Sequence, residues 1–223
     1  MIISEVKRYY LEAPEEEINS DIAPKTFDIW GIIEIYGKKL KLGKRLLDVG
    51  LGTGRFTLQA FKKGYDVMAI DLLPEFIARV TDKHPELKKR LHVVNLLDKK
   101  SVLEFVEEYG QFDIVTALGV VTNHAQNKRG MIKMLYNIVK FAGTNSLLVV
   151  DLLLEEMFPG KPQIIWSDFT HTLTSLTEVG QIFQKYGLIL LDAYTIHETY
   201  PAEGALLQEF NEHSIRIFIH KPW

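Results

Sequence analysis

Leu46-Leu47-Asp48-Val49-Gly50-Leu51-Gly52-Thr53-Gly54-Arg55-Phe56-Thr57 is the stretch best equipped to do chemistry. It begins as a short apolar run, the pattern of a strand buried in a parallel sheet. Gly50, Gly52 and Gly54 then allow a sharp turn and leave the backbone open to a ligand. A helix is expected to start near Thr53. Its unpaired N–H groups and the positive end of its dipole would point at that ligand. The stretch reads as a strand, a glycine loop and a helix that together hold a polar molecule.

The spacing narrows the ligand. A dinucleotide loop reads Gly-x-Gly-x-x-Gly, whereas here the third glycine comes one residue early and Arg55 follows it. Asp48 stands two residues before the first glycine. Asp-x-Gly-x-Gly-x-Gly resembles motif I of the class I S-adenosylmethionine (SAM)-dependent methyltransferases. The resemblance implies that Asp48, Gly50, Gly52 and Gly54 lie against the amino-acid end of SAM or of its product S-adenosylhomocysteine (SAH).

A second segment, residues 64–71, reads as a turn and a buried strand ending in Asp71. A carboxylate there can accept hydrogen bonds from both ribose hydroxyls. The resemblance implies that role, with Leu72 beside it, while a plain helix cap before Pro74 is the competing reading. The third strand ends near Asn95. The family often has an acid there for the adenine amine, and Asn95, with Leu96 next to it, fills that slot. Asp98 competes for the same role and could instead cap the next helix. The strand at 112–118 resembles motif IV, so Leu118 is expected beside the methionine part of SAM. It does not continue into the Asn/Asp-Pro-Pro-Tyr/Phe of enzymes that methylate adenine, cytosine or glutamine.

Methyl transfer from SAM needs alignment and exclusion of water more than it needs a catalytic group. A base is required only where the acceptor must lose a proton. His124, just beyond the fourth strand, is the candidate base. His171 is a second, and a surface or capping histidine is the alternative for each. No His/Asp/Glu spacing suggests a metal site.

These segments need a frame to position them. From residue 44 onward strands and helices alternate: 45–49, 53–63, 66–70, 74–83, 91–95, 99–109, 112–118, 127–141 and 146–152. Helix 177–186, strand 188–198 and strand 214–220 follow. Alternation of this kind predicts a parallel sheet covered by helices on both faces. The last strand can return by a hairpin and is expected to be antiparallel. The expected fold is therefore a three-layer α/β/α sandwich with a seven-stranded, mostly parallel sheet and an antiparallel strand seven. Residues 1–42 would form a helical extension capping a methyltransferase domain at 43–223. In it, Phe27, Trp30, Ile33, Tyr36 and Leu40 mark an amphipathic helix, and Tyr9, Tyr10 and Trp30 could face a substrate. Residues 153–172 break the alternation and read as a substrate-covering loop, a surface excursion or an added hairpin.

Composition sets the remaining bounds. The chain has 223 residues, 47% of them hydrophobic and 25% charged, with a net charge of −3 and no cysteine. Disulfides and thiolate chemistry are excluded. No apolar run approaches the ~20 residues of a membrane span, and Met1–Glu5 gives no sign of a signal peptide. A cytoplasmic protein is expected. The basic run 38–45 lacks interleaved aromatics, so it reads as solvated lysines and not as a nucleic-acid surface. The expected activity is methyl transfer from SAM to a small molecule. The rival readings are a non-catalytic regulatory subunit of the same fold, an RNA or protein methyltransferase, and a nicotinamide-dependent oxidoreductase. The sequence does not indicate an oligomeric state.

Overall fold

The computed structural model describes residues 28–166, 169–196 and 214–223. Tyr9, Tyr10, the rest of the expected cap before residue 28 and the turn at 201–206 lie outside them.

Helix α1 (Ile29–Leu40) starts where the Asp28 side chain accepts from the Gly31 N–H, and it ends on Lys41 in a left-handed conformation. Its buried stripe is Ile29, Trp30 and Ile33. Strand β1 (Arg45–Val49), helix α2 (Arg55–Lys62), strand β2 (Asp66–Asp71) and helix α3 (Pro74–Lys83) follow. Then come β3 (Leu91–Val93), α4 (Lys99–Tyr109), β4 (Phe112–Ala117), α5 (Lys128–Phe141) and β5 (Ala142–Leu153). Side-chain caps fix several helix starts. Asp98 accepts from Lys100 ahead of α4, and Asn127 accepts from Gly130 ahead of α5. A hairpin of β6 (Gln163–Trp166) and β7 (Phe169–Thr172) leads to α6 (Leu176–Tyr186), which opens on a reciprocal Ser175–Glu178 capping box. Strands β8 (Ile189–Ile196) and β9 (Ser214–Lys221) complete the main sheet.

The sheet order is β3-β2-β1-β4-β5-β9-β8. The first five strands run parallel, and β9 is antiparallel to both β5 and β8. This is the expected sandwich. Alternate residues of each strand serve opposite faces. Leu46, Ile114, Val149 and Phe218 pack under α1 and α2, with α3 closing the β2–β3 end. Leu47, Val115, Val150 and Ile217 pack under α4, α5 and α6.

Two boundaries differ from the sequence reading in an informative way. Strand β5 begins at Ala142, not 146, because the chain passes straight from α5 into the sheet. Phe112 pairs with Ala142 and Ile114 with Leu147, so residues 143–146 form a bulge, with Asn145 at φ 54°. The Asn145 amide then donates to Leu40 O at 2.9 Å and fastens the end of α1 to the sheet. Residues 163–166 and 169–172 pair as a separate two-stranded sheet, the hairpin alternative.

Trp30 packs into the core instead of facing a ligand. It stacks on Phe56 at 4.5 Å and donates from Nε1 to Gln59 Oε1 at 2.9 Å. Trp30→Ala is expected to lower the unfolding free energy by about 3–5 kcal/mol. Urea denaturation would measure this, and a change below ~1 kcal/mol would contradict the packing role.

Candidate functional site

The site is built at the carboxyl edge of β1, β2 and β4. The Gly50 and Leu51 N–H groups donate to Ile70 O at 2.8 and 3.0 Å, which fastens the loop to β2. Gly50, Gly52 and Gly54 have φ of 88°, 52° and 80°, in the left-handed region that side chains disfavour. Each also has a steric role. A Cβ on Gly50 would lie 2.5 Å from Val121 Cγ2, and one on Gly54 2.9 Å from Val80 Cγ1. A Cβ on Gly52 would meet nothing within 4 Å, so the middle glycine faces open space. Helix α2 begins on Gly54 with no side-chain cap over its first turn. The space over Gly52 is thus open to close approach by a ligand, while the Gly50, Leu51, Gly52 and Gly54 N–H groups, which the sequence pattern would leave for that ligand, are engaged within the protein.

Asp48 lies beneath this loop and is 2% exposed. The Thr57 hydroxyl of α2 donates to its Oδ2 at 2.6 Å, and the Thr116 hydroxyl of β4 donates to its Oδ1 at 3.1 Å. The sequence reading placed Asp48 against the cofactor. In the structure both its oxygens hold protein hydroxyls, and the carboxylate joins β1, α2 and β4. Burial pushes its pKa up to about 7, against the two hydroxyl bonds, which pull it down.

Asp71 sits at the end of β2. Its Oδ2 accepts from the Gly52 N–H at 3.0 Å and its Oδ1 from the Leu73 N–H at 2.9 Å. It therefore starts α3, as the capping alternative required, and also holds the loop. A carboxylate has about four acceptor positions, so capacity remains for ribose hydroxyls. Burial raises its pKa, while the Leu73 and Gly52 bonds work in the opposite direction. Leu72 beside it is exposed and Leu96 is buried. Asn95 Oδ1 accepts from the Leu97 N–H at 2.9 Å, so the oxygen proposed for adenine already shapes the turn after β3. Asp98 is the N-cap of α4.

Past β4 and the buried Leu118, the chain makes a left-handed turn at Gly119 and Val120, φ 70° and 51°. It then forms the 3-10 turn Val121–His124. A β-branched residue at positive φ is strained and must be held by its surroundings. The holding groups are buried polar side chains. Asn123 donates from Nδ2 to Leu153 O at 3.1 Å and to Thr172 O at 2.6 Å, and its Oδ1 accepts from the Leu153 N–H at 3.2 Å. Thr172 Oγ1 donates to Ala125 O at 2.6 Å. These bonds seat the β6–β7 hairpin on the 3-10 turn and bring His171 to His124, ring centroids 4.9 Å apart. The two histidines picked separately from the sequence thus share one place. Burial pushes the His124 pKa down to about 4, so its imidazole is neutral at pH 7.

The sequence reading did not identify Thr116, Asn123, Asp151 or Arg216. Arg216 Nε donates to Asp151 Oδ1 at 2.6 Å and Nη2 to Oδ2 at 2.7 Å, and both residues are buried. The signal was present. Asp151 interrupts the apolar run 147–153, and Arg216 stands between Ile215 and Ile217. A lone charge in a buried strand needs a partner. Among the described residues no group of three or more acids and histidines could hold a metal ion. No helix among them is long and apolar enough to cross a membrane.

The sheet order with its inverted seventh strand, the glycine loop and the acid ending β2 define a cofactor-binding α/β fold. Residues 46–143 match the family model described as a methyltransferase domain. That match spans just under half of the chain and contains the glycine loop, the acid ending β2 and strand β4, so over this segment the chain is similar to methyltransferase domains. It is 35% identical over 79 residues to the magnesium-protoporphyrin O-methyltransferase of Rhodobacter capsulatus, covering 34% of this chain and 32% of that protein. It is 28% identical over 138 residues to the glycine/sarcosine N-methyltransferase of Aphanothece halophytica, covering 57% of this chain and 50% of the relative. The chain thus aligns with only about a third to half of the length of these curated relatives. Its fold superposes on the N-methyltransferase NodS from Bradyrhizobium japonicum WM9, solved with SAH. The TM-score is 0.67, the identity 15%, and the coverage 100% of this chain and 99% of that one.

The raised pKa means that folded Asp48 binds its proton more tightly than the unfolded chain does. Its contribution to stability is therefore full at low pH and is lost as pH rises from about 4 through about 7. Denaturant unfolding between pH 5 and pH 8 should show wild type losing more stability than Asp48→Asn. Equal losses would contradict the burial argument. Asp71→Ala should weaken SAH binding by about 1.5–3 kcal/mol and Asp71→Asn by less, read by calorimetry. Unimpaired binding in both variants would leave Asp71 as a helix cap and loop anchor only.

Proposed function

We propose that the protein transfers a methyl group from SAM to a small-molecule acceptor, and that the accepting atom is an amine nitrogen. The observation that carries this is the open space over Gly52, a glycine held by Asp71, on the same sheet edge as a buried, neutral His124. Gly50, Gly52 and Gly54 would receive the amino-acid end of the cofactor, Asp71 its ribose, and Leu72, Asn95 and Leu96 its adenine. Leu118 would lie along the methionine part. SAM supplies an electrophilic methyl group with its own leaving group. The histidines and the hairpin above them would exclude water and orient the acceptor.

The depressed His124 pKa selects among acceptors. So weak a base does not deprotonate an alcohol or an ammonium ion at neutral pH. An amine bound in its neutral form needs no prior deprotonation. Its lone pair bonds to the methyl carbon as the C–S bond breaks and SAH leaves, and the product ammonium gives up its proton to solvent later, so the neutral His124 orients the amine and is not its base. The N-methyltransferases among the similar proteins accord with this choice. The absence of cysteine accords with a cytoplasmic setting.

The test is transfer from radiolabelled SAM to a panel of amines that includes glycine and sarcosine. His124→Ala should keep SAH affinity within a few-fold and lower kcat by up to about 10²-fold through lost alignment of the amine. Where His124 sets the rate, the wild-type profile should be level from pH 8 to about 5 and fall near pH 4, since the imidazole works only when neutral. A fall centred near the ordinary histidine value would show that the histidine involved is solvated and not the buried His124. Binding of SAH with no transfer to any amine would count against the amine reading.

A further inference from the structure

We propose that the buried Asp151–Arg216 pair positions the cofactor loop from across the sheet, acting through the turn that leaves β4. This rests on the reading of the glycine loop as the SAM site. Asp151 and Arg216 are register partners on β5 and β9, 2% and 1% exposed. A buried ion pair is a poor source of stability, because desolvation offsets the attraction. This pair also makes a third bond. Asp151 Oδ2 accepts from the Gly119 N–H at 2.9 Å. The arginine grips the carboxylate in bidentate fashion and so fixes the acceptor that Gly119 meets.

Gly119 opens the left-handed turn, and Val120 next to it is held at φ 51° between Leu153 and Leu173. Val121 follows directly and occupies the space where a Gly50 side chain would be, its Cγ2 2.5 Å from the ideal Cβ position. An unbroken line of contacts therefore runs from Arg216 through Asp151, Gly119 and Val121 to the first glycine of the loop. Opposite charges cancel within the pair, so its influence on the site is geometric. If the Gly119 bond is lost, Val120 can relax toward the right-handed region and Val121 can leave Gly50. The loop then loses the surface that holds its backbone toward the cofactor.

The experiment compares SAH affinity by calorimetry with thermal unfolding in three variants. Asp151→Leu/Arg216→Met replaces the pair by apolar side chains and should fold with a Tm within a few degrees of wild type. It lacks the acceptor for Gly119 and should bind SAH about tenfold more weakly. Asp151→Asn/Arg216→Met restores a neutral acceptor for the Gly119 N–H and should recover most of that loss. Val121→Ala leaves the pair intact but thins the contact on Gly50, and should weaken SAH several-fold. That variant tests the same line of contacts should the apolar pair fail to fold. A purely structural pair would move Tm and leave the affinity of folded protein unchanged. Wild-type affinity in both the Leu/Met and the Val121→Ala variants would overturn the proposal. Failure of the wild-type protein to bind SAH would overturn the cofactor reading itself.

Discussion

The site depends on a missing side chain. Gly50 has no Cβ, and Val121 occupies the space a Cβ would need. This lets the segment leaving β4 approach the loop leaving β1 more closely than any side chain at position 50 would allow. The sheet holds both strands in parallel register, with Leu46 opposite Ile114 and Asp48 opposite Thr116. The loop is set from behind by Ile70 O, from below by Asp48 and from the side by Val121. Gly52 is left facing open space.

Two acids serve this arrangement, and both carry a desolvation cost. Asp48 spends its oxygens on Thr57 and Thr116 and so orients α2 relative to β4. Asp71 divides its oxygens between the loop and the start of α3. Neither acid has a protein cation beside it in these contacts. A ligand bringing positive charge to this edge would therefore meet favourable electrostatics. Among the described residues, the one buried cation on the same face of the sheet, Arg216, is already neutralised by Asp151.

Local pattern made much of this legible. The glycine spacing, the acid ending 66–71 and the alternation of elements are short-range signals, and each fell where the sheet required it. The last strand was marked by its Ile215, Ile217 and Ile219 alternation, and its antiparallel sense followed from the hairpin return. What escaped was set by distant partners. The use of Asn123 depends on Leu153 and Thr172, and the start of β5 on a bulge opposite Phe112. The engagement of Asp48 could not be read without knowing that Thr116 lies on the adjacent strand. Asp151 and Arg216 were visible as charges inside apolar strands, yet only the register showed them to be one unit. The two histidines were visible as candidates, and the hairpin that joins them was one of three open alternatives.

On the proposed function, one sheet edge binds SAM in an orientation that presents its methyl group to the His124 end. A crystal structure of the protein with SAH tests it most directly. The ribose is expected at Asp71, the amino-acid end along Gly50 and Gly52, and the sulfur directed toward the space beside His124. SAH bound away from the glycine loop, or bound there with its sulfur directed away from His124, would contradict it.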